Sequence, residues 1–364
     1  MQLRVPGPTP IPPEILQVMS RQMINHRGPE FAEMIRSMTA ALKEMFQTRG
    51  DVLILTGSGT GGMEAAIVNT LSPGDKVLAV SNGFFGERFA DIAEQFGVQV
   101  ERLRFEWGYP ADPQAVRQAL SRDTGIKAVL VTHNETSTGV TNDLASISAV
   151  VKEFDKLLLV DAISSLGAID LPTDEWGCDV VVTASQKGWM APPGLAMVSV
   201  SQRAWQANAE AKMPRFYWDF AKAKRFLEEK GHTPWTPAVS VFYALAAALE
   251  MFKREGLANI VARHIRVGSK AREGVKSLGL SLLPEDSYAS NTVTAIKAPE
   301  GLEVKRLLGI LREEQGTILA GGQQRLEGKI FRIGHLGYVN EEDIDAVMEA
   351  LRVALPQAGF ARAR

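Results

Sequence analysis

Three short apolar runs in this chain end in groups with complementary chemistry. Run 180–184 leads into Ser185-Gln186-Lys187, and run 157–160 ends in Asp161. Run 52–56 opens into Gly57-Ser58-Gly59-Thr60-Gly61-Gly62 and then a helical stretch, 63–71. Free N–H groups at a helix start, together with the helix dipole, form a site for an anion. A carboxylate at the end of an apolar strand is costly unless it has a partner. An unprotonated lysine amine is a nucleophile toward carbonyl carbon. Two further segments sit in comparable positions: Ser81-Asn82-Gly83-Phe84-Phe85-Gly86 after 77–80, and Thr132-His133-Asn134-Glu135-Thr136 after 128–131. Each group also has a plainer reading. The glycine run is then a turn, Asp161 a cap for 163–166, Lys187 a surface lysine and Phe85 core packing.

The elements that carry these groups alternate. Strand-length runs at 52–56, 77–80, 98–103, 128–132, 157–161, 180–184 and 196–200, all but 98–103 largely apolar, are separated by helical stretches near 88–96, 113–120 and 147–154. Continuous apolar strands alternating with helices predict an α/β layer with a mainly parallel sheet covered on both faces. In such sheets ligands bind beyond the carboxyl ends of the strands, which is where the groups above fall. Before this layer, Pro6, Pro8, Pro10, Pro12 and Pro13 predict an extended arm over residues 1–20. After Gly256 the pattern changes to a long amphipathic helix, strands at 292–296 and 330–333, and helices near 304–313 and 342–355. The predicted organisation is therefore an arm (1–20), a large domain (21–255) and a smaller C-terminal α+β domain (256–364).

Taken together, the groups fit pyridoxal phosphate. That cofactor needs a lysine for a Schiff base and a carboxylate at its pyridine nitrogen. It also needs donors for its phosphate and a flat side chain against its ring.

The segment around Ala184-Ser185-Gln186-Lys187 and Ala191-Pro192-Pro193-Gly194-Leu195 resembles the lysine signature of class V aminotransferases. Within the class, the chain resembles the alanine–glyoxylate and serine–glyoxylate (serine–pyruvate) aminotransferases. The matching pieces are Pro6-Gly7-Pro8, Ser58-Gly59-Thr60, Asn82-Gly83-Phe84-Phe85-Gly86, the run from Thr132 to Gly139, Leu159-Val160-Asp161 and Arg332-Ile333-Gly334. The resemblance implies the pyridoxal-phosphate fold type I and a ping-pong transamination from serine or alanine to a keto acid such as glyoxylate or pyruvate. It also implies roles for residues. Lys187 holds the cofactor, Asp161 pairs with its ring nitrogen, and Ser58, Gly59, Thr60 and Gln186 hold its phosphate. Phe85 stacks on the ring and Thr136 bonds its hydroxyl. Arg332 grips the substrate carboxylate with a bidentate fork, near Gly7. Thr236 reaches the phosphate of a partner subunit, so the expected assembly is a homodimer. Two positions depart from the alanine–glyoxylate pattern: Phe85 stands where tryptophan is frequent, and Thr60 where histidine is frequent. Both still serve the cofactor, and the departures bear on substrate choice.

Composition narrows the alternatives. The formal net charge is −2, which offers no electrostatic footprint for nucleic acid. No run is long enough to span a membrane. The single cysteine, Cys178, excludes an internal disulfide and a cysteine-based zinc site, and points to a reducing compartment, the cytoplasm. Gly57, Gly59 and Gly62 form the spacing of a dinucleotide-binding turn, but the next strand ends in Ser81-Asn82-Gly83 rather than the acid that a ribose requires. A cysteine desulfurase would need a mobile thiol, and the late loop Gly321-Gly322-Gln323-Gln324-Arg325 has none. A non-catalytic subunit retaining the fold is the remaining rival.

Overall fold

The computed structural model describes residues 1–360. Its main layer is a seven-stranded sheet of β1 (Asp51–Gly57), β2 (Lys76–Ser81), β3 (Gln99–Arg104), β4 (Ile126–Thr132), β5 (Leu157–Asp161), β6 (Val180–Ala184) and β7 (Gly194–Val200). The spatial order is β1-β7-β6-β5-β4-β2-β3. Only β7 runs against the rest; it pairs antiparallel with both β1 and β6. Alternate side chains feed two cores. Val52, Ile54, Val129, Val131, Leu158 and Val160 enter one, and Leu53, Leu55, Ala128, Leu130 and Leu159 the other. This period-two partition, with both faces covered, explains why the strands read as unbroken apolar runs.

Helix α1 (Pro29–Phe46) covers one face and α2 (Gly59–Thr70) the other. Helix α3 (Phe84–Gln95) follows β2. The dinucleotide alternative fails on topology, because β1 and β2 are not neighbours in the sheet.

A second, antiparallel sheet of four strands is built from β8 (Ser281–Leu282), β9 (Val293–Lys297), β10 (Ala320–Gly321) and β11 (Ile330–Gly334), in the order β8-β9-β11-β10. It has its own core, with Val267, Ile296, Leu307, Phe331, Ile344 and Leu351 among its members.

The first 20 residues depart from the extended arm expected of them. Pro13–Met19 is an α-helix with Pro13 at its first position and Ile15 fully buried. Proline favours that position, since its missing N–H would be unpaired there in any case. The proline run stops helix only upstream, where Gln2–Leu3 pairs in parallel with Thr317–Ile318. Arg4 forms an ion pair with Asp343 and its carbonyl accepts from Gly334 N at 2.7 Å. Thr9 N donates to Gln186 O at 3.1 Å. The arm therefore bridges the small sheet and the lysine loop. Among the described residues no helix is long and apolar enough to cross a membrane.

Candidate active site

Six strands point their carboxyl ends the same way, and a cavity of about 230 Å³ lies beyond that edge. Gly7, Ser58, Gly59, Thr60, Phe85, Thr136, Asp161, Gln186 and Lys187 all line it, so nine positions named from sequence converge. The turn after β1 becomes the first turn of α2, with Ser58 as its cap. The N–H groups of Gly59 and Thr60 have no intrahelical acceptor and are available to an anion. A Cβ at 59 would fall 2.6 Å from Ile163 Cδ1 and 3.1 Å from Ala184 Cβ, so a larger residue would have to push Ile163 aside. Gln186 brings a side-chain oxygen to the same cavity that is buried without a partner.

Lys187 follows β6. Its Nζ donates to Pro6 O at 2.7 Å, and burial pushes its pKa down to about 8, with Asp161 opposing the shift. An amine poised there is largely a nucleophile at mildly alkaline pH. Asp161 ends β5 and is 3% exposed. Burial raises its pKa to about 7, against the donation of Ile163 N to Oδ1 at 2.9 Å. No regular helix follows Asp161, but its Oδ1 does cap the turn at Ile163; the carboxylate also lines the cavity, with a neighbouring cation as its expected partner. Phe85 lies in the first turn of α3, and Thr136 Oγ1 donates to Ser164 Oγ at 2.7 Å.

Arg332, on β11, is not among the residues lining this cavity but adjoins it through Thr136. Its Nε donates to Gly321 O at 3.0 Å, and its Nη1 to Thr136 O at 3.0 Å and Gln323 Oε1 at 3.2 Å. Burial lowers its pKa to about 10. Thr236 is not brought to the cavity; it is exposed.

Sequence reasoning missed several members of the site. Arg88 lines the cavity one helical turn after Phe85, a spacing that puts both on one helix face and could have revealed it. Ile163, Ser164 and Asn134 also line it. Glu135 is fully buried behind it. Its Oε2 accepts from Phe85 N and Gly86 N, both at 3.0 Å, and its Oε1 from Ser137 N at 3.0 Å and Ser137 Oγ at 2.5 Å. Cys178 is buried and its thiol pKa is pushed up to about 12, so it is no nucleophile.

An anion cradle at a helix N-terminus, a depressed lysine and a buried acid in one cavity fit pyridoxal phosphate, and fold and site together define a pyridoxal-phosphate enzyme. The chain belongs to the class V aminotransferases, whose family model matches residues 3–347. It is 46% identical over 361 residues to a Synechococcus sp. (strain PCC 6716) protein named soluble hydrogenase, small subunit, covering 98% of this chain and 94% of that one. It is 38% identical to the L-aspartate–glyoxylate aminotransferase of Paracoccus denitrificans (strain Pd 1222), covering 93% and 86%. Among solved structures, the alanine–glyoxylate aminotransferase of Nostoc sp. superposes with a TM-score of 0.94 at 32% identity, covering 97% and 94%.

Proposed function

We propose that this aminotransferase moves the amino group of a small amino acid, serine or alanine, to a keto acid such as glyoxylate or pyruvate, in two half-reactions that share one site. The observation that carries this reading is the placement of Lys187, Asp161 and the α2 first turn around a single cavity. Pyridoxal phosphate, when bound, supplies the electron sink for the pair left at the substrate Cα. In this reading Ser58, Gly59, Thr60 and Gln186 hold its phosphate, Phe85 and Ile163 flank its ring, and Thr136 meets its hydroxyl. Asp161 holds the proton on the ring nitrogen as a carboxylate, its own pKa falling once a cation is beside it. With the cofactor bound, Lys187 Nζ as a free amine would take the proton from the substrate Cα and deliver it to the cofactor carbon, and would run the same transfer in reverse in the second half-reaction. Arg332 orients the substrate carboxylate, its guanidinium already aligned by Gly321 O, Thr136 O and Gln323. The arm contributes Gly7 and Pro8 to the lining of the same cavity.

We also propose a cytoplasmic homodimer. The single buried cysteine suits a reducing compartment. Thr236 is exposed beside Trp235, which stacks on Phe216, itself 70% exposed, and would complete the pocket of a second copy. The hydrogenase name of the Synechococcus relative favours no second reading of this chain's residues. Among the described residues no group of three or more His, Cys, Asp or Glu side chains is disposed to hold a metal ion.

The test is the visible absorption of the purified protein with added pyridoxal phosphate. A yellow protein that bleaches with L-serine, L-alanine or L-aspartate, and recovers with glyoxylate or pyruvate, supports the proposal and names both substrates. A protein that stays colourless with added cofactor overturns it and favours the non-catalytic subunit.

A further inference from the structure

Three side chains lining the cavity carry charge: Arg88, Asp161 and Lys187. Asp161 is an acid, and Lys187 is committed to the carbonyl group of the cofactor. The phosphate is a dianion, and the donors named for it, Ser58, Gly59, Thr60 and Gln186, are all neutral. The helix dipole adds a partial charge of about half a unit. Within one copy of the chain, the cradle is short of positive charge unless Arg88 supplies it.

Arg88 is placed to do so. Its Nη1 touches Thr60 Oγ1 at 3.4 Å, which sets the guanidinium against the first turn of α2. That contact is long and neutral, and an anionic oxygen would displace it. The nearby acids are engaged elsewhere. Glu87 pairs with Arg102 and Arg104 at 3.2 and 3.0 Å. Glu135 is saturated by three backbone N–H groups and Ser137 Oγ. Asp161 Oδ1 is taken by Ile163 N. The guanidinium carbon instead lies 4.7 Å from the Phe84 ring centre and 5.0 Å from that of Phe85. Aromatic faces hold a cation in place without neutralising it. The arrangement leaves a fixed positive charge at the anion end of the cavity.

We infer that Arg88 balances the charge of the cofactor phosphate and thereby discriminates pyridoxal phosphate from unphosphorylated pyridoxal. The inference rests on the cofactor assignment above and adds a residue and a selectivity to it.

The test measures equilibrium binding to cofactor-stripped protein, by the visible absorbance change, for wild type, Arg88→Gln and Arg88→Lys. The probes are pyridoxal phosphate and pyridoxal, with inorganic phosphate as competitor. Loss of a charge-assisted contact in a desolvated site is expected to weaken pyridoxal phosphate binding by about 10- to 100-fold in Arg88→Gln. Pyridoxal binding should be unchanged, inorganic phosphate should compete less well, and Arg88→Lys should recover part of the loss. If both forms of the cofactor weaken equally, Arg88 merely props Phe85 and the inference is wrong; it is equally wrong if neither weakens. Arg88→Lys, which keeps both charge and stem, tests the same selectivity should Arg88→Gln fail to fold. Failure of the cofactor assignment looks different, because wild type itself then binds neither form.

Discussion

Gly7 and Lys187 occupy space that admits no third group: a Cβ on Gly7 would fall 2.6 Å from Lys187 Nζ and 2.7 Å from its Cε. Gly7 also has φ +139°, where a side chain is strained. Gly7→Ala should therefore displace the lysine as well as strain the arm. The expected result is a slow or incomplete capture of pyridoxal phosphate, with a stability loss on the order of 1–3 kcal/mol. Thermal unfolding and the rate of appearance of the yellow band measure the two effects separately. Wild-type capture and full turnover in the variant would show that the lysine does not need this clearance.

Asp161→Asn separates two consequences of one buried carboxylate. Turnover should fall by roughly two orders of magnitude or more, because an amide cannot keep the ring nitrogen protonated. Stability should move the other way. The folded pKa of about 7 exceeds the ordinary value of 3.8, so the folded, cofactor-free protein binds the extra proton between those limits. Stability contributed by that proton is present below about pH 4 and is lost as pH rises toward 7 and beyond. Urea unfolding of the cofactor-free proteins at pH 5 and pH 8 should show wild type losing stability relative to the variant. Parallel behaviour of the two proteins would mean that Asp161 is not held in the environment described.

Arg332→Lys keeps the charge and loses the fork. The ammonium cannot meet Gly321 O, Thr136 O and a substrate carboxylate in one plane, so KM for the amino donor should rise by the equivalent of about 2–3 kcal/mol. Steady-state kinetics with several donors decides the matter. Unaltered KM and kcat would remove Arg332 from the substrate site.

Glu135→Gln tests the brace behind the wall. Four donors converge on the Glu135 carboxylate, and an amide can accept on only one of its two ends. Burial alone would favour its neutral form, while the same four donors and the α3 N-terminus favour the charged one. The variant should unfold more easily by about 1–3 kcal/mol. Phe85 and Thr136, which flank the brace, should lose their fixed positions, and the expected sign is weaker cofactor binding on dialysis. A variant as stable as wild type would show that Glu135 is protonated and weakly held.

The parallel sheet was legible because every strand but the edge strand β3 is largely apolar on both faces, and the Lys187 and Asp161 positions were legible because they end such strands. Less visible features depended on partners far away in the chain. The reversed direction of β7 is a matter of pairing with β1, a neighbour in the sheet but far earlier in the chain, and no local pattern announces it. The helix Pro13–Met19 hid behind prolines that stop a helix upstream but start one at the first position. Glu135 read as one polar residue among five, since only the fold brings the α3 amides to it. Arg88 looked like one more charge on an amphipathic helix until its turn was set against Thr60.

The order in which the chain emerges during synthesis gives the N-terminal arm a further meaning. Pro6 and Lys187 lie 181 positions apart, and Gln2 and Asp343 lie 341 apart. The first residues made must wait for nearly the last before they can dock. Contacts between such distant segments belong late in assembly, because the entropy of closing the chain must be met before they reward it. The wall of the pocket nearest the lysine is therefore completed only after the sheet beneath it has formed, so a nascent or truncated chain would hold the lysine loop uncovered.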